Sequence, residues 1–200
     1  EYMAPTLGVG ADNTYRLGGN NAGTLAISSS DNVLTGATAR LIVGSQLSNL
    51  QGSGITNGTG TVSIRNSNDF GGGTTISKGS TVSLEVGALG RTPLGTGDVE
   101  VYGTIQVITP TTGIAGASSF YNPSTGLNNN LIVLRPGGTI RIFDRLGREP
   151  NGEGRWDDAT GQDLNGGTFR FDGVANGQSV ETIGDIGVNK GSTLTVVRAA

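Results

Sequence analysis

The chain has 200 residues, of which 36 are Gly, none is Cys or His and only 14% are charged, with a formal net charge of -3. The lack of Cys and His excludes disulfides, thiolate chemistry, Ser-His-Asp triads and His-containing zinc sites, and scattered single bases argue against nucleic-acid binding. No segment approaches the ~20 apolar residues of a membrane helix, so we expect no membrane insertion of this segment.

The N-terminal third predicts three strands, at residues 15–17, 23–27 and 39–43, separated by Asn, Gly and Ser turns.

The chain opens on Glu1 rather than Met, and we expect it to be a processed or partial polypeptide. The abundant glycine lacks the every-third spacing of collagen and accompanies 34% hydrophobic residues. It therefore predicts many tight turns in a folded chain.

From residue 60 onward one short pattern recurs: a glycine, a Thr or Ser, and then alternating apolar residues. Its copies begin at Gly60, Gly79, Gly103, Gly138, Gly167 and Gly191. Successive side chains of a strand face opposite sides, so each copy predicts a strand with one buried and one solvated face. We accordingly expect Ile140 and Phe169 in the core, and Thr139 and Thr168 outside.

The spacing of these copies predicts stacked coils. From Gly79 onward it ranges from 24 residues (Gly79 to Gly103) to 35 (Gly103 to Gly138), the range in which one repeat forms one turn of a solenoid, and about eight turns would fit the chain. No window shows the helical 3.6-residue period. The sequence predicts an all-β fold with almost no helix.

Two segments interrupt the pattern and are predicted as loops that leave the coil. Residues 109–130 are polar and rich in Asn, whereas residues 144–166 carry six acids and three bases. We expect residues 1–200 to form a single β-helix domain that belongs to a longer or assembled solenoid, with these two excursions.

Residues 68–101 resemble the passenger-associated β-strand repeat of bacterial autotransporters. The matching positions are Asn68, Phe70, Gly72, Gly73, Thr74, Thr75, Ile76, Gly79, Ala88, Leu89, Gly90, Gly97, Val99 and Val101. Residues 164–169 look like a looser copy. The resemblance implies a right-handed parallel β-helix on the outside of a bacterial cell.

Carboxylates on outward strand positions raise the question of catalysis. A glycoside hydrolase needs two carboxylates ~5 to 9.5 Å apart, and Glu85, Asp98 and Glu100 lie near suitable positions. The simpler interpretation is that these are single solvent-exposed charges on a polar strand face. We therefore predict no enzyme activity.

Other candidate sites also have simpler alternatives. Asp157, Asp158, Asp163 and Asn165 offer oxygen ligands for Ca²⁺, but their spacing is not that of an EF-hand, and a solvated loop paired with arginines fits them as well. Because no helix follows the glycine clusters at residues 8–10 and 71–73, we interpret them as turns rather than phosphate loops.

Trp156, the only tryptophan, either binds a sugar or a partner, or pins its own loop to the coil. No metal or cofactor is predicted.

We expect a structural or adhesive element of a bacterial cell surface or extracellular assembly, such as a fibre, sheath or stalk. The alternative is a carbohydrate-binding or polysaccharide-degrading β-helix.

The strand-like segment at residues 193–198 has no obvious cap. We expect the ends to be covered by further domains of the same polypeptide or by end-to-end stacking of copies, which gives a homo-oligomer or fibre. Surface glycans are further candidate partners.

Overall fold

The computed structural model describes residues 1–18, 23–44, 60–85, 92–108, 131–144, 161–175, 179, 183 and 185–198. Within these residues lie fourteen short strands and one helical turn at Ala11–Asn13. The strands are β1 (Thr14–Leu17), β2 (Thr24–Ile27), β3 (Arg40–Val43), β4 (Thr61–Ile64), β5 (Thr74–Ile76), β6 (Thr81–Glu85), β7 (Val99–Val101), β8 (Thr104–Ile108), β9 (Ile132–Leu134), β10 (Thr139–Phe143), β11 (Gln162–Leu164), β12 (Thr168–Gly173), β13 (Ile186–Val188) and β14 (Thr193–Arg198).

Successive strands alternate between two seven-stranded parallel sheets. The first sheet holds the odd-numbered strands and the second sheet the even-numbered strands, each in sequence order. Because every strand pairs with the strand two positions further along the chain, the polypeptide coils and contributes one strand to each sheet per turn. The predicted all-β parallel β-helix is confirmed, with seven coils in the described residues, where the sequence predicts about eight turns. Its handedness stays a prediction.

The repeated pattern of the sequence lies in the second sheet, in one continuous register. Its apolar residues form inward columns; one column runs through Val62, Val82, Ile105, Ile140 and Phe169. All five are buried, so the predicted core positions of Ile140 and Phe169 are confirmed. Facing outward, a threonine column runs through all seven strands, at Thr24, Thr61, Thr81, Thr104, Thr139, Thr168 and Thr193.

The glycine that opens the pattern is required by the stacking of the coils. A Cβ atom on Gly138 would lie 2.0 Å from the carbonyl oxygen of Val101 in the preceding coil. At Gly103 a Cβ atom would meet the carbonyl oxygens of Ser77 and Ser80, each at 2.4 Å. Since the collision would be with backbone, a larger residue at either position would push neighbouring coils apart.

The turn between β9 and β10 shows how the chain passes from one sheet to the other. Gly138 donates its N–H to the carbonyl of Arg135 at 2.8 Å, and Gly137 has a φ of 87°. Proline before a glycine of positive φ is the pattern of a type II turn, and Pro136 and Gly137 supply it.

In the N-terminal half, the coil has a third side. It is formed by the segments between each strand of the second sheet and the next strand of the first sheet. Leu34, Phe70 and Leu94 lie there, and all three are fully buried. Backbone hydrogen bonds join the same segments, from Asn68 N to Thr92 O at 3.0 Å and from Thr96 N to Phe70 O at 2.9 Å. Side chains from three sides thus enclose the core.

The two predicted loops have different outcomes. Residues 109–130 lie outside the described residues, as do residues 145–160. The loop prediction for 144–166 is wrong at its C-terminal end, because β11 is a strand of the first sheet and Leu164 is fully buried. Its sequence, Gln-Asp-Leu, shows only one apolar residue, and pairing with β9 and β13 supplies the rest of its stability.

The two ends of the described coil differ. At the N-terminal end, Tyr2 forms a parallel bridge to Ile27 and Leu7 donates its N–H to Val33 O at 2.9 Å. At the other end, the inward-register side chains Leu194 and Val196 of β14 are 56% and 75% exposed.

Candidate functional site

The acidic residues considered for catalysis are divided between the two sheets. Glu85 ends a strand of the second sheet, whereas Glu100 is the central residue of β7 in the first sheet. Asp98 accepts a hydrogen bond from the backbone N–H of Leu131 at 3.1 Å, and Glu100 accepts one from Arg135. Asp98 and Glu100 are therefore each held by a neighbouring coil.

The carboxylate proposed as a calcium ligand has amide partners. Asn189 donates through Nδ2 to Asp163 Oδ1 at 2.7 Å and to Asn165 Oδ1 at 2.6 Å, and Asn165 donates to Asp163 Oδ2 at 3.1 Å. The structure thus brings Asp163 and Asn165 together as a hydrogen-bonded network between coils. In the described part of the chain, no group of three or more acidic residues could hold a metal ion. Asp157, Asp158 and Trp156 lie outside the described residues.

The glycine cluster at 71–73 packs against backbone. A Cβ atom on Gly71 would lie 2.4 Å from the carbonyl oxygen of Ala37, and one on Gly72 would lie 2.5 Å from that of Thr38. A Cβ atom on Gly97 would in turn lie 2.5 Å from the carbonyl oxygen of Gly71. Because these glycines lack a side chain, the backbones of three successive coils can pack closely here. In the earlier cluster the expectation that no helix follows is wrong, because the three-residue helical turn Ala11–Asn13 begins directly after Gly10. Gly10 donates its N–H to Thr14 O at 3.2 Å.

Asn68 is the polar centre of this region. Its Oδ1 accepts the N–H of Leu34 in the preceding coil at 3.0 Å, and its Nδ2 donates to the carbonyl of Pro93 in the following coil at 3.0 Å. Phe70 lies beside it and meets the ring of Tyr15 edge-on, with centroids 6.4 Å apart. We call residues 68–74 the Asn68 corner. Its motif residues act in the stacking of coils, a role that the sequence alone does not reveal.

The most distinctive charged cluster lies on the outer face of the second sheet. Arg141 and Arg170 are register partners on β10 and β12. Both donate through Nε to the carboxylate of Asp172, Arg170 to Oδ1 at 2.7 Å and Arg141 to Oδ2. The guanidinium of Arg141 lies over the ring of Phe143, 3.9 Å from its centroid. We call these four residues the arginine face.

Burial and charge set the ionisation of this cluster. Asp172 is nearly buried, with a side-chain exposure of 11%, whereas the arginine side chains are 36% and 38% exposed. Burial by itself raises the pKa of Asp172, but the hydrogen bonds and charges of Arg141 and Arg170 outweigh it and hold this pKa below its usual value. Asp172 thus fixes both guanidinium groups at the surface.

The arginine face was not predicted from the sequence, although a signal for it exists. Arg141 and Arg170 occupy the same position in two copies of the glycine-led pattern, three residues after Gly138 and Gly167. Parallel stacking in register places such residues side by side, ~4.8 Å apart. Asp172 follows the second copy, and only the fold brings it to Arg141.

The first sheet carries a second ion pair, between Arg135 and Glu100, whose side chains are 38% and 39% exposed. The hydrogen bond to Glu100 raises the pKa of Arg135 above its usual value, and Tyr102 adds to the effect. The pair joins consecutive coils on a half-exposed surface.

The chain matches no family model, no curated protein and no solved structure. The resemblance to the passenger-associated repeat therefore stays a prediction. Of the helices that the structure describes, none is long and apolar enough to span a membrane.

Proposed function

We propose that this protein is a structural or adhesive element of a bacterial cell surface or extracellular assembly, such as a fibre, sheath or stalk. The observation that carries the proposal is the continuity of the two seven-stranded ladders. Each inner strand is hydrogen-bonded on both sides, and each coil rests on its neighbours, so the coil is built as a rod.

The outer surface supports a scaffold role. The threonine column presents short hydroxyl side chains along the whole described rod, and charged side chains pair across coils, as Glu100 does with Arg135 and Asp172 with Arg141. This surface gives little material for an acid–base pair, and we propose no enzyme activity. The extracellular location rests on composition and on the passenger-repeat resemblance.

We further propose that the β14 end contacts another coil, from a second copy or from the same polypeptide. The exposed Leu194 and Val196 support this, since an uncovered strand with apolar side chains favours pairing. At the other end residues 2–7 lie over the first coil, so that stacking of copies into a fibre would require them to move or to take part in the contact.

Antibody labelling of the native bacterium tests the location. Antibodies raised against the 200-residue chain are expected to label intact cells, and negative-stain electron microscopy of the released material is expected to show elongated particles. Labelling that requires permeabilised cells would contradict the proposal.

A second candidate function, glycan binding, is favoured by one observation. The arginine face combines oriented guanidinium groups, an aromatic ring and neighbouring hydroxyl groups on an exposed sheet surface.

A further inference from the structure

We propose that the arginine face binds an acidic polysaccharide, with Arg141 and Arg170 contacting its carboxylate or sulfate groups. The inference deepens the adhesive form of the proposed function and rests on it. The ligand chemistry is an oxyanion carried on a chain of sugars.

Both guanidinium groups are oriented before any ligand arrives. Asp172 accepts the Nε–H of each, and the ring of Phe143 supports Arg141 from one side. Binding through free arginines costs the side-chain entropy of ordering them. Here that ordering is already present in the folded protein, which favours recognition of an incoming anion.

Donors remain after these contacts. A guanidinium carries five N–H donors, and Asp172 takes the single Nε–H of each arginine. Among the described residues, none accepts a hydrogen bond from the terminal nitrogens of Arg141 and Arg170, and these side chains are more than one-third exposed. Such a planar pair of donors matches a carboxylate or sulfate in bidentate geometry.

Charge complementarity favours an anion at this place. Within the arginine face two cations share one carboxylate. Asp144, next along the chain after Phe143, is buried, so that it is not on the surface that a ligand would contact.

The flanking positions suit a sugar chain. Outward side chains in the same columns are Gln106 and Thr195, which stand in register below and above the arginine pair, and Thr139 and Thr168 in the adjacent column. Their amide and hydroxyl groups both donate and accept hydrogen bonds, as sugar hydroxyls require. Because the strands repeat at ~4.8 Å, the face is an extended array that fits a linear polymer.

The test compares the wild-type chain with the double variant Arg141→Gln, Arg170→Gln by isothermal titration calorimetry. The probes are polygalacturonate and dextran sulfate, with neutral dextran of matched length as the reference polymer. We expect binding of at least one acidic probe and none of neutral dextran. The double variant should weaken this binding by about tenfold or more, and added NaCl should weaken the wild-type binding.

Two further variants separate the site from general charge and from folding. Arg16→Gln removes an exposed arginine of the first sheet, 3.7 Å from Asp12, and should leave affinity unchanged. Arg141→Lys with Arg170→Lys keeps the charge but removes the planar fork, and should give an intermediate loss. If the glutamine variant fails to fold by circular dichroism, the lysine variant decides.

Equal affinity of wild type and folded double variant, equal loss in Arg16→Gln, or equal binding of neutral dextran would overturn the inference. So would a lack of binding to both acidic probes. Inorganic sulfate that competes with the polymer at equal charge concentration would show binding of an oxyanion without a polysaccharide, and would overturn the assignment of the polymer. Each outcome is independent of the labelling of intact cells.

Discussion

The Asn68 corner and the arginine face show two ways in which polar groups join the coils. In the corner, a neutral side chain is buried and shares its hydrogen bonds among backbone groups of neighbouring coils, with Phe70 packed beside it. In the arginine face, charged side chains bond one another across strands and stay partly exposed. Backbone groups engage the side-chain oxygen and nitrogen of Asn68, whereas the terminal nitrogens of the two arginines can still contact a ligand.

This difference predicts that stability depends on the corner and recognition on the face. Burial without a partner is costly for a polar group, so changes in the corner should have large effects on unfolding. The arginine side chains of the face are more than one-third exposed, and partly exposed ion pairs contribute less to stability, so changes at the arginines should act more on binding than on unfolding.

The largest effect is expected for Phe70→Ala. Removing this fully buried ring leaves a cavity in the core and should lower the free energy of unfolding by about 3–5 kcal/mol. Phe143→Ala is the matched control, since that ring lies on the half-buried outer surface and should cost about 1 kcal/mol or less. Urea denaturation followed by circular dichroism measures both. Similar midpoints for the two variants would contradict the comparison.

Asn68→Ala is expected to cost about 2–3 kcal/mol, because the N–H of Leu34 and the carbonyl of Pro93 would lose their partner in a buried place. Asn189→Ala is the control. That exposed asparagine also joins neighbouring coils, but water can replace it, and a loss of about 0.5 kcal/mol or less is expected. Equal losses of stability in the same denaturation experiment would show that burial does not set the difference.

Asp172→Asn should have a smaller effect, and one that depends on pH. The pKa of Asp172 is lowered in the folded state, so its stabilisation is present above the unfolded value of about 3.9 and is lost as pH falls through the folded pKa. At pH 7 the variant should lose about 1–2 kcal/mol.

The free energies of unfolding of wild type and Asp172→Asn, measured in denaturant from pH 7 down to pH 3, check the sign. The difference between them should be constant near neutrality and shrink below about pH 4. A difference that grows as the pH falls would mean that Asp172 does not carry its charge favourably in the folded protein.

The smallest effect is expected for Glu100→Gln. The pair with Arg135 is more than one-third exposed on both sides, and such pairs contribute about 0.5 kcal/mol. A double-mutant cycle with Arg135→Gln, run at low and high NaCl, measures the coupling and should show it screened by salt. A coupling of about 2 kcal/mol would place this pair in the same class as the Asn68 corner.

Local alternation was sufficient to predict the second sheet. Each of its later strands opens after a glycine and carries two inward apolar residues, so β10 and β12 could be placed with their inner and outer faces from the order of residues alone. The same patterns put Arg141 and Arg170 at equivalent positions. These features are local, since a strand alternates its side chains whatever its neighbours are.

The first sheet, the Asn68 corner and the arginine face depend on pairing between distant residues. The strand Gln162–Leu164 has one alternation, too short a pattern to separate a strand from a loop, and its neighbours in the coil make it one. Ser63 and Ser83 lie at outward positions and are nonetheless buried, because burial of an outward side chain depends on what lies over it. Asp172 meets Arg141 only after two coils stack in register, since the lateral contacts that fix register join residues far apart in the chain.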